Sequence, residues 1–251
     1  MYFTSKSKLF TEFCLKFIDM PELVLVPLPI GDKSWPQMDT DFYRNQVRNI
    51  SCWVAENART LRRFLSSLQL GIDLPSVNIF ELSRDMKPAD LEQFLNENQG
   101  LDRIGVCSEA GLPCIADPGN KVVEWAQRKQ WVVNPLLGPS SLMMALMGSG
   151  LNGQSFTFHG YAPLKDDGLK TWVKQLLQPS NKGYSHIFIE TPYRTDRLFQ
   201  WFLKNLPQEM KLCIAMDLHG DHQRIETRTL GQWKKQMPVF GKLPCVFIVG
   251  K

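Results

Sequence analysis

The sequence predicts an α/β protein with two α/β domains, a parallel doubly wound sheet in the N-terminal half and a mixed sheet in the C-terminal half. Five short apolar runs alternate with helix-compatible segments before residue 140, and this order is typical of a parallel sheet wound by helices. After residue 205, three further strand-like runs have little helix between them, which favours antiparallel pairing. Glycines at 148–153 mark a possible linker.

Each predicted strand of the N-terminal half is a run of four or five mostly apolar residues bounded by turn-forming residues. These strands are 23–26, 52–55, 77–80, 103–107 and 132–136. The intervening predicted helices are 39–50, a stretch ending at 68, 87–96, one that ends at Arg128, and 140–147. Asp117 is expected to cap the helix that ends at Arg128, with Pro118 in its first turn.

The second half opens with a predicted strand at 156–158. Further strands are predicted at 186–189, 212–216, 224–230 and 245–249, with helices near 168–177 and after Pro192. The predicted division is an N-terminal extension (1–19), an N-terminal domain (20–137) and a C-terminal domain (138–251). In the extension, Phe10, Phe13 and Phe17 share one helical stripe, so it is either an amphipathic helix or a result of start-site choice ahead of Met20.

Composition and charge describe an ordinary globular protein. The apolar fraction is 43%, the charged fraction 22% and the net charge +4, which neither requires nor excludes a nucleic-acid partner. Arg59, Arg62 and Arg63 form either a local basic face or a solvated helix face. No apolar run reaches the roughly 18 to 20 residues needed to span a bilayer, and charges interrupt any signal peptide in residues 1–19.

Six cysteines occur without C-x-x-C spacing, which indicates reduced, buried thiols and a cytoplasmic protein. Glycine-rich nucleotide signatures and the nucleophile elbow of hydrolases are absent from the sequence. His219 and His222 lack a third placed ligand, so no metal site is predicted and a polar turn is favoured. His186 lies inside an apolar run and is expected to be a hydrogen-bonded core histidine.

The most specific patterns are Gly/Pro turns that follow predicted strands. Residues 108–113 (SEAGLP) and 117–119 (DPG) are similar to Ser-Asp-Ala-Gly-Thr-Pro and Asp-Pro-Gly, residues 136–139 to Leu-Pro-Gly-Pro, and residues 26–32 to Val-Pro-Thr-Pro-Ile-Gly-Asn. Weaker matches lie at 56–59, 158–165 and 190–194. On these motifs the chain resembles the tetrapyrrole methylase superfamily, and within it the ribosomal RNA small subunit methyltransferase I family.

The resemblance implies two α/β domains of tetrapyrrole methylase type, a cytoplasmic homodimer, and S-adenosylmethionine bound in a cleft between the domains. The implied activity is 2'-O-methylation of a cytidine ribose in 16S ribosomal RNA. The cofactor contacts that it implies are Ile30, Ala110, Pro113, Ser140, Ser141, Ile189 and Thr191. Backbone N–H groups at the 138–141 turn suit the methionine carboxylate.

An oxygen nucleophile needs a proton acceptor. The catalytic candidates are Glu56, Glu109 and Glu190, each at a predicted strand end, where a helix cap or an arginine partner is the alternative role. Arg59 and Arg194 are candidates for binding substrate phosphates, with surface ion pairs as the alternative.

Departures from the family pattern concern the segments expected to face substrate. Leu28 and Leu112 replace two threonines near the expected methyl site, and Glu109 replaces an aspartate. Residues 81–86 and 216–220 differ from a His-rich segment and from Arg-Glu-Leu-Thr-Lys, respectively. Three hypotheses therefore stay open: an RNA methyltransferase, a methyltransferase of a small molecule such as a tetrapyrrole, and a cofactor-binding module without activity.

Overall fold

A computed structural model of the chain describes residues 20–83, 85–163, 166–178 and 183–251. These residues form two units. The first holds the described chain up to Pro29 and the segment Trp35–Pro139, and the second holds Ile30–Ser34 and Ser140–Lys251. The predicted extension, with Cys14, lies outside the described residues. Within those residues, no helix combines the length and the hydropathy that a membrane crossing requires.

The first unit contains the predicted five-stranded parallel sheet. Its strands are β1 (Glu22–Leu25), β2 (Cys52–Ala55), β3 (Asn78–Glu81), β4 (Arg103–Cys107) and β5 (Val132–Pro135). They lie in the order β3-β2-β4-β1-β5, and all neighbours are parallel. Each observed strand begins and ends within one residue of its predicted limits, so the apolar runs are confirmed as strands.

Helices cover both faces of this sheet. They are α1 (Trp35–Met38), α2 (Asp41–Arg48), α3 (Ala58–Ser67), α4 (Pro88–Glu97) and α5 (Asn120–Arg128). One core contains Val24 and Trp53 with helix residues such as Phe64, and the other contains Leu23 and Val54 with residues such as Trp125. Because successive side chains of a strand point to opposite faces, burial on both faces requires a continuous apolar run.

The second unit contains a mixed sheet, which confirms the predicted antiparallel pairing. Its elements are α6 (Ser141–Ser149), β6 (Phe156–Tyr161), α7 (Asp166–Leu176), β7 (Ser185–Glu190), α8 (Thr195–Asn205), β8 (Lys211–Met216), β9 (Arg224–Thr229), α9 (Leu230–Lys235) and β10 (Cys245–Gly250). The strand order is β6-β7-β10-β8-β9. Only β6 and β7 pair in parallel among these described strands.

The second unit contains a histidine pair, in which His186 is buried and His159 is half-buried. The ring atoms His159 Nε2 and His186 Nδ1 are 3.0 Å apart, and Trp172 Nε1 donates to His159 Nδ1 at 3.2 Å. Since the tryptophan can only donate, His159 carries its proton on Nε2 and donates to His186. Burial, with a contribution from His186, lowers the pKa of His159 to about 4, and burial also lowers the pKa of His186. The prediction of a core histidine at 186 is confirmed.

One predicted helix start is wrong. Helix α5 begins at Asn120, its N-cap position is Gly119, and no side chain caps it. Asp117 Oδ1 instead accepts a hydrogen bond from the Gly119 N–H at 2.7 Å. Asp117 therefore closes the turn before the helix, and Pro118 precedes the first turn of the helix. Of the described cysteines, all five are free, and Cys114 alone is half-buried rather than buried.

Candidate active site

The carboxyl ends of four neighbouring strands lie along one edge of the parallel sheet. In register, Leu25 of β1 stands beside Val106 of β4 and Pro135 of β5, and Ala55 of β2 stands beside Cys107 of β4. Because parallel strands point the same way, the loops that follow them emerge side by side. This carboxyl edge therefore collects the Gly/Pro turns that the sequence singles out.

Two close contacts join the three turns. Leu28 and Gly111 exchange backbone hydrogen bonds, with N···O distances of 3.0 Å from Leu28 and 2.9 Å from Gly111, and Gly111 has a φ of 72°. At Gly138, a Cβ atom would lie 2.1 Å from the Cβ of Pro27, so only glycine allows the loop after β5 to pass there. The turns after β1, β4 and β5 form one continuous surface.

Glu56 is held at this edge by the neighbouring loop. Its backbone N–H donates to Cys107 O at 3.2 Å, and its Oε2 accepts the Glu109 N–H at 3.1 Å. Burial raises the pKa of Glu56; the Glu109 N–H opposes this shift, and the charges of Asp117 and Glu109 add to it. A carboxylate with a raised pKa and a fixed orientation is suited to accept a proton.

The residues of the 108–113 turn differ in their exposure to solvent. Ser108 is buried and its hydroxyl donates to Ala110 O at 3.1 Å. Glu109 and Ala110 are exposed, whereas Pro113 is buried. Glu109 and Ala110 are thus reachable from solvent, whereas Ser108 and Pro113 support the turn from within.

Asp117 lies near Glu56 in an environment that the sequence did not reveal. Burial is the main cause that raises the pKa of Asp117, and backbone N–H groups, that of Gly119 first, oppose it. Its Oδ2 is buried without a hydrogen-bond partner among the described residues. The Asp-Pro-Gly triplet is the sequence signal for this residue; it predicts a helix start and a family motif, but not a half-buried carboxylate beside Glu56.

The side chain of Leu28 is 2% exposed and packs in the core of the first unit. The backbone of Leu28, and not its side chain, meets the 108–113 turn. Leu112 is half-buried.

In the second unit, helix α6 begins with a capped turn. Ser140 is the N-cap and its hydroxyl accepts the Met143 N–H at 3.4 Å. The first turn of α6 contains no acidic residue, so the positive end of the helix dipole has no carboxylate within the helix to neutralise it. Ile30 and Ile189 pack against the same apolar cluster as the buried face of α6. Ile30 and Ile189 thus share one apolar cluster with helix α6, which Ser140 caps and Ser141 begins.

The buried Glu190 forms an ion pair with Arg194, which is half-buried. The side chain of Glu190 is 1% exposed, and its Oε2 lies 2.6 Å from Arg194 Nη2. Its Oε1 accepts the Thr191 N–H at 2.7 Å, and Arg194 Nη2 also donates to Ala162 O at 2.9 Å. Both carboxylate oxygens and the guanidinium are therefore engaged, which favours the alternative roles: an arginine partner for Glu190 and an ion pair for Arg194.

The segment 216–220, expected to face substrate, belongs to a turn that contacts residues 31–33 of the same unit. Lys33 N–H donates to His219 O at 3.0 Å, and Lys33 Nζ lies 3.0 Å from Asp221 Oδ1. A Cβ at Gly31 would lie 2.7 Å from the His219 carbonyl. His219 and His222 thus lie in a polar turn, and in the described part of the chain no cluster of three metal-ligating side chains occurs.

Three comparisons show what the chain is similar to. No protein-family model matches it. "Ribosomal RNA small subunit methyltransferase I" of Vibrio cholerae is 26% identical over 215 residues, 84% of this chain and 70% of that protein. The protein of the same name from Bacillus subtilis is 28% identical over 238 residues, 92% of this chain and 76% of that protein.

Among solved structures, the methyltransferase CobJ superposes with a TM-score of 0.60 at 12% identity, covering 92% of this chain and 94% of CobJ. At this identity the likeness concerns the fold, which is the two-domain arrangement of a parallel sheet and a mixed sheet described above.

Proposed function

We propose that this chain, a homologue of the ribosomal RNA small subunit methyltransferase I proteins with the tetrapyrrole methylase fold, methylates a ribose 2'-hydroxyl of RNA. Its relatives and fold make it a methyltransferase, and S-adenosylmethionine is the cofactor that they imply. The single observation that carries the oxygen-directed reaction is the carboxylate of Glu56, fixed on the Glu109 N–H at the carboxyl edge.

The described residues suit the proposed cofactor. The start of α6 offers backbone N–H groups with no acidic residue in its first turn, which fits a carboxylate group. Ile30 and Ile189 offer apolar surface beside it, and the exposed Ala110, with Pro113 three residues later, belongs to a rigid turn in the first unit. Ser140, Ser141 and Thr191 complete the proposed cofactor contacts.

Glu56 is the proposed general base. When bound, S-adenosylmethionine supplies an already activated methyl group, so the protein mainly orients the acceptor hydroxyl and removes its proton. Because the pKa of Glu56 is raised, it lies closer to the working pH than the pKa of an exposed glutamate does. Glu109, which is exposed, and Glu190, which is bound to Arg194, are weaker candidates.

The methyl acceptor is specified further as part of the same proposal. The relatives are named for ribosomal RNA of the small subunit, and we propose a cytidine ribose of 16S ribosomal RNA as the acceptor. A cytoplasmic location and a homodimer are further parts of this proposal. Arg59 is the proposed phosphate contact nearest to Glu56 in the sequence.

The test uses small ribosomal subunits from cells that lack the gene. Purified protein and isotopically labelled S-adenosylmethionine are added, and the RNA is digested and analysed by mass spectrometry. The expected product is a labelled 2'-O-methylcytidine, which the Glu56→Gln variant forms far more slowly.

Two other results would contradict the proposal. Label that enters a tetrapyrrole but not RNA supports a small-molecule methyltransferase. Cofactor binding by calorimetry, without transfer to either class of acceptor, supports a binding module without activity.

A further inference from the structure

Helix α3, which begins two residues after Glu56, carries three arginines on its solvent face. Arg59, Arg62 and Arg63 are exposed, whereas Leu61 and Phe64 of the same helix are buried. Residues three and four apart are neighbours on a helix surface, so the guanidinium groups form one ridge. We call these three residues the α3 arginine ridge.

Most other described arginines have carboxylate partners, and this ridge does not. Arg44, Arg103, Arg128, Arg194, Arg224 and Arg228 each pair with an aspartate or glutamate. Within the described residues no carboxylate pairs with the ridge; the one side-chain bond recorded there runs from Arg63 Nη2 to Thr60 Oγ1 at 3.4 Å. The sequence contains no acidic residue from Ala58 to Ile72. The charge of the ridge is left available to a partner.

The ridge is unfavourable for the isolated fold. Like charges three or four residues apart destabilise a helix. Arg59 also lies in the first turn of α3, where the helix dipole disfavours a cation. A polyanionic partner would remove both costs.

The geometry points to the phosphodiester backbone of RNA as that partner. This inference rests on the proposed function, and we propose that the α3 arginine ridge docks the RNA segment next to the methylated nucleotide. Helix α3 follows β2 directly and its N-terminal end is fixed by two side chains: Asn57 accepts the Thr60 N–H at 3.0 Å, and Glu81 accepts the Ala58 N–H at 2.9 Å. The ridge therefore begins beside Glu56 and runs away from it along the helix.

The experiment compares two double variants that remove the same charge. Arg62→Gln with Arg63→Gln removes two ridge cations, and Arg128→Gln with Lys129→Gln removes two exposed cations from the end of α5. Binding of a labelled single-stranded RNA oligonucleotide is measured between 50 and 300 mM salt, together with methyl transfer to small ribosomal subunits. Thermal unfolding checks that both variants are folded.

Each phosphate contact contributes a slope of roughly 0.7 to log K against log salt for single strands. The ridge variant lacks two cations, so we expect the magnitude of its slope to be smaller by about 1.4. It should bind the RNA roughly 25-fold more weakly than the unaltered protein at 0.1 M salt. The α5 variant should bind as the unaltered protein does. Methyl transfer at subsaturating subunits should fall in the ridge variant in proportion to its weaker binding, and should be unchanged in the α5 variant.

Equal slopes for the two variants, with methyl transfer to RNA intact in the unaltered protein, would overturn the ridge as an RNA surface. Such a result would leave an acidic protein as the ridge's partner. Absence of methyl transfer to RNA in the unaltered protein would instead overturn the proposed function, so the two failures are distinguishable.

Discussion

Glu56 and Glu190 both follow a buried strand, yet the two units place them in opposite environments. Among the described residues, the Glu56 carboxylate has one hydrogen-bond donor, the Glu109 N–H, and its pKa is raised. Glu190 is buried, with an arginine on one oxygen and a backbone N–H on the other. A position at a strand end therefore does not decide the role of a glutamate. The hydrogen-bond and ion-pair partners of the carboxylate do, and they make Glu56 a candidate base and Glu190 part of a structural ion pair.

The largest expected effect is on catalysis by Glu56→Gln. Glutamine keeps an oxygen for the Glu109 N–H but cannot accept the substrate proton, so the methyl-transfer rate should fall about 10²- to 10⁴-fold. The rate of the unaltered protein should fall as pH decreases through the raised pKa of Glu56, because only the ionised form accepts a proton. Glu109→Gln is the matched control and should keep nearly full methyl-transfer activity. Equal losses of rate in the two variants would contradict the assignment of Glu56 as the base.

Arg194→Met should act on stability. It leaves Glu190 buried without its cation, and breaking a buried pair costs about 3–5 kcal/mol in the free energy of unfolding. Urea denaturation measures this loss, and Arg128→Met, which breaks an exposed pair with Glu92, should cost less than about 1 kcal/mol. A similar small cost for both would mean that Glu190 is not structurally dependent on Arg194.

The histidine pair makes the second unit sensitive to acid. The folded pKa of His159, about 4, lies below the unfolded value of 6.5, so its contribution to stability is present above pH 6.5 and is lost as pH falls towards 4. By pH 5 the loss is about 2 kcal/mol. His159→Gln retains a hydrogen-bond donor and an acceptor but does not titrate. The difference in unfolding free energy between the unaltered protein and this variant should therefore shrink from pH 7 to pH 5.

The smallest expected effect concerns the cap of α6. Ser140→Ala removes the acceptor for the Met143 N–H and should cost about 1 kcal/mol in unfolding free energy, whereas Ser140→Gly should cost only a few tenths. Calorimetric titration with S-adenosylmethionine then tests the proposed contact. Weaker cofactor binding in the alanine variant at unchanged fold supports it, and unchanged binding limits Ser140 to capping.

The strands were predictable because most of them are short apolar runs bounded by polar or turn-forming residues, and both sheets confirm that order. The partners of individual side chains were not. Nothing near Glu190 in the pattern distinguishes it from Glu56, because the difference depends on Arg194 and on the Ala162 carbonyl, 28 residues upstream. The inward direction of Leu28 likewise depends on the backbone pairing with Gly111, a contact distant in sequence.

The position of residues 30–34 in the chain affects how the second unit can fold during synthesis and whether it can be produced alone. They precede most of the first unit in the chain but belong to the second, where Lys33 and Gly31 contact the turn around His219. During synthesis this short piece emerges more than a hundred residues before the sheet that it contacts. A gene fragment that begins at Ser140 therefore encodes an incomplete body, and a separately folding second half would need this peptide restored by circular permutation or added in trans.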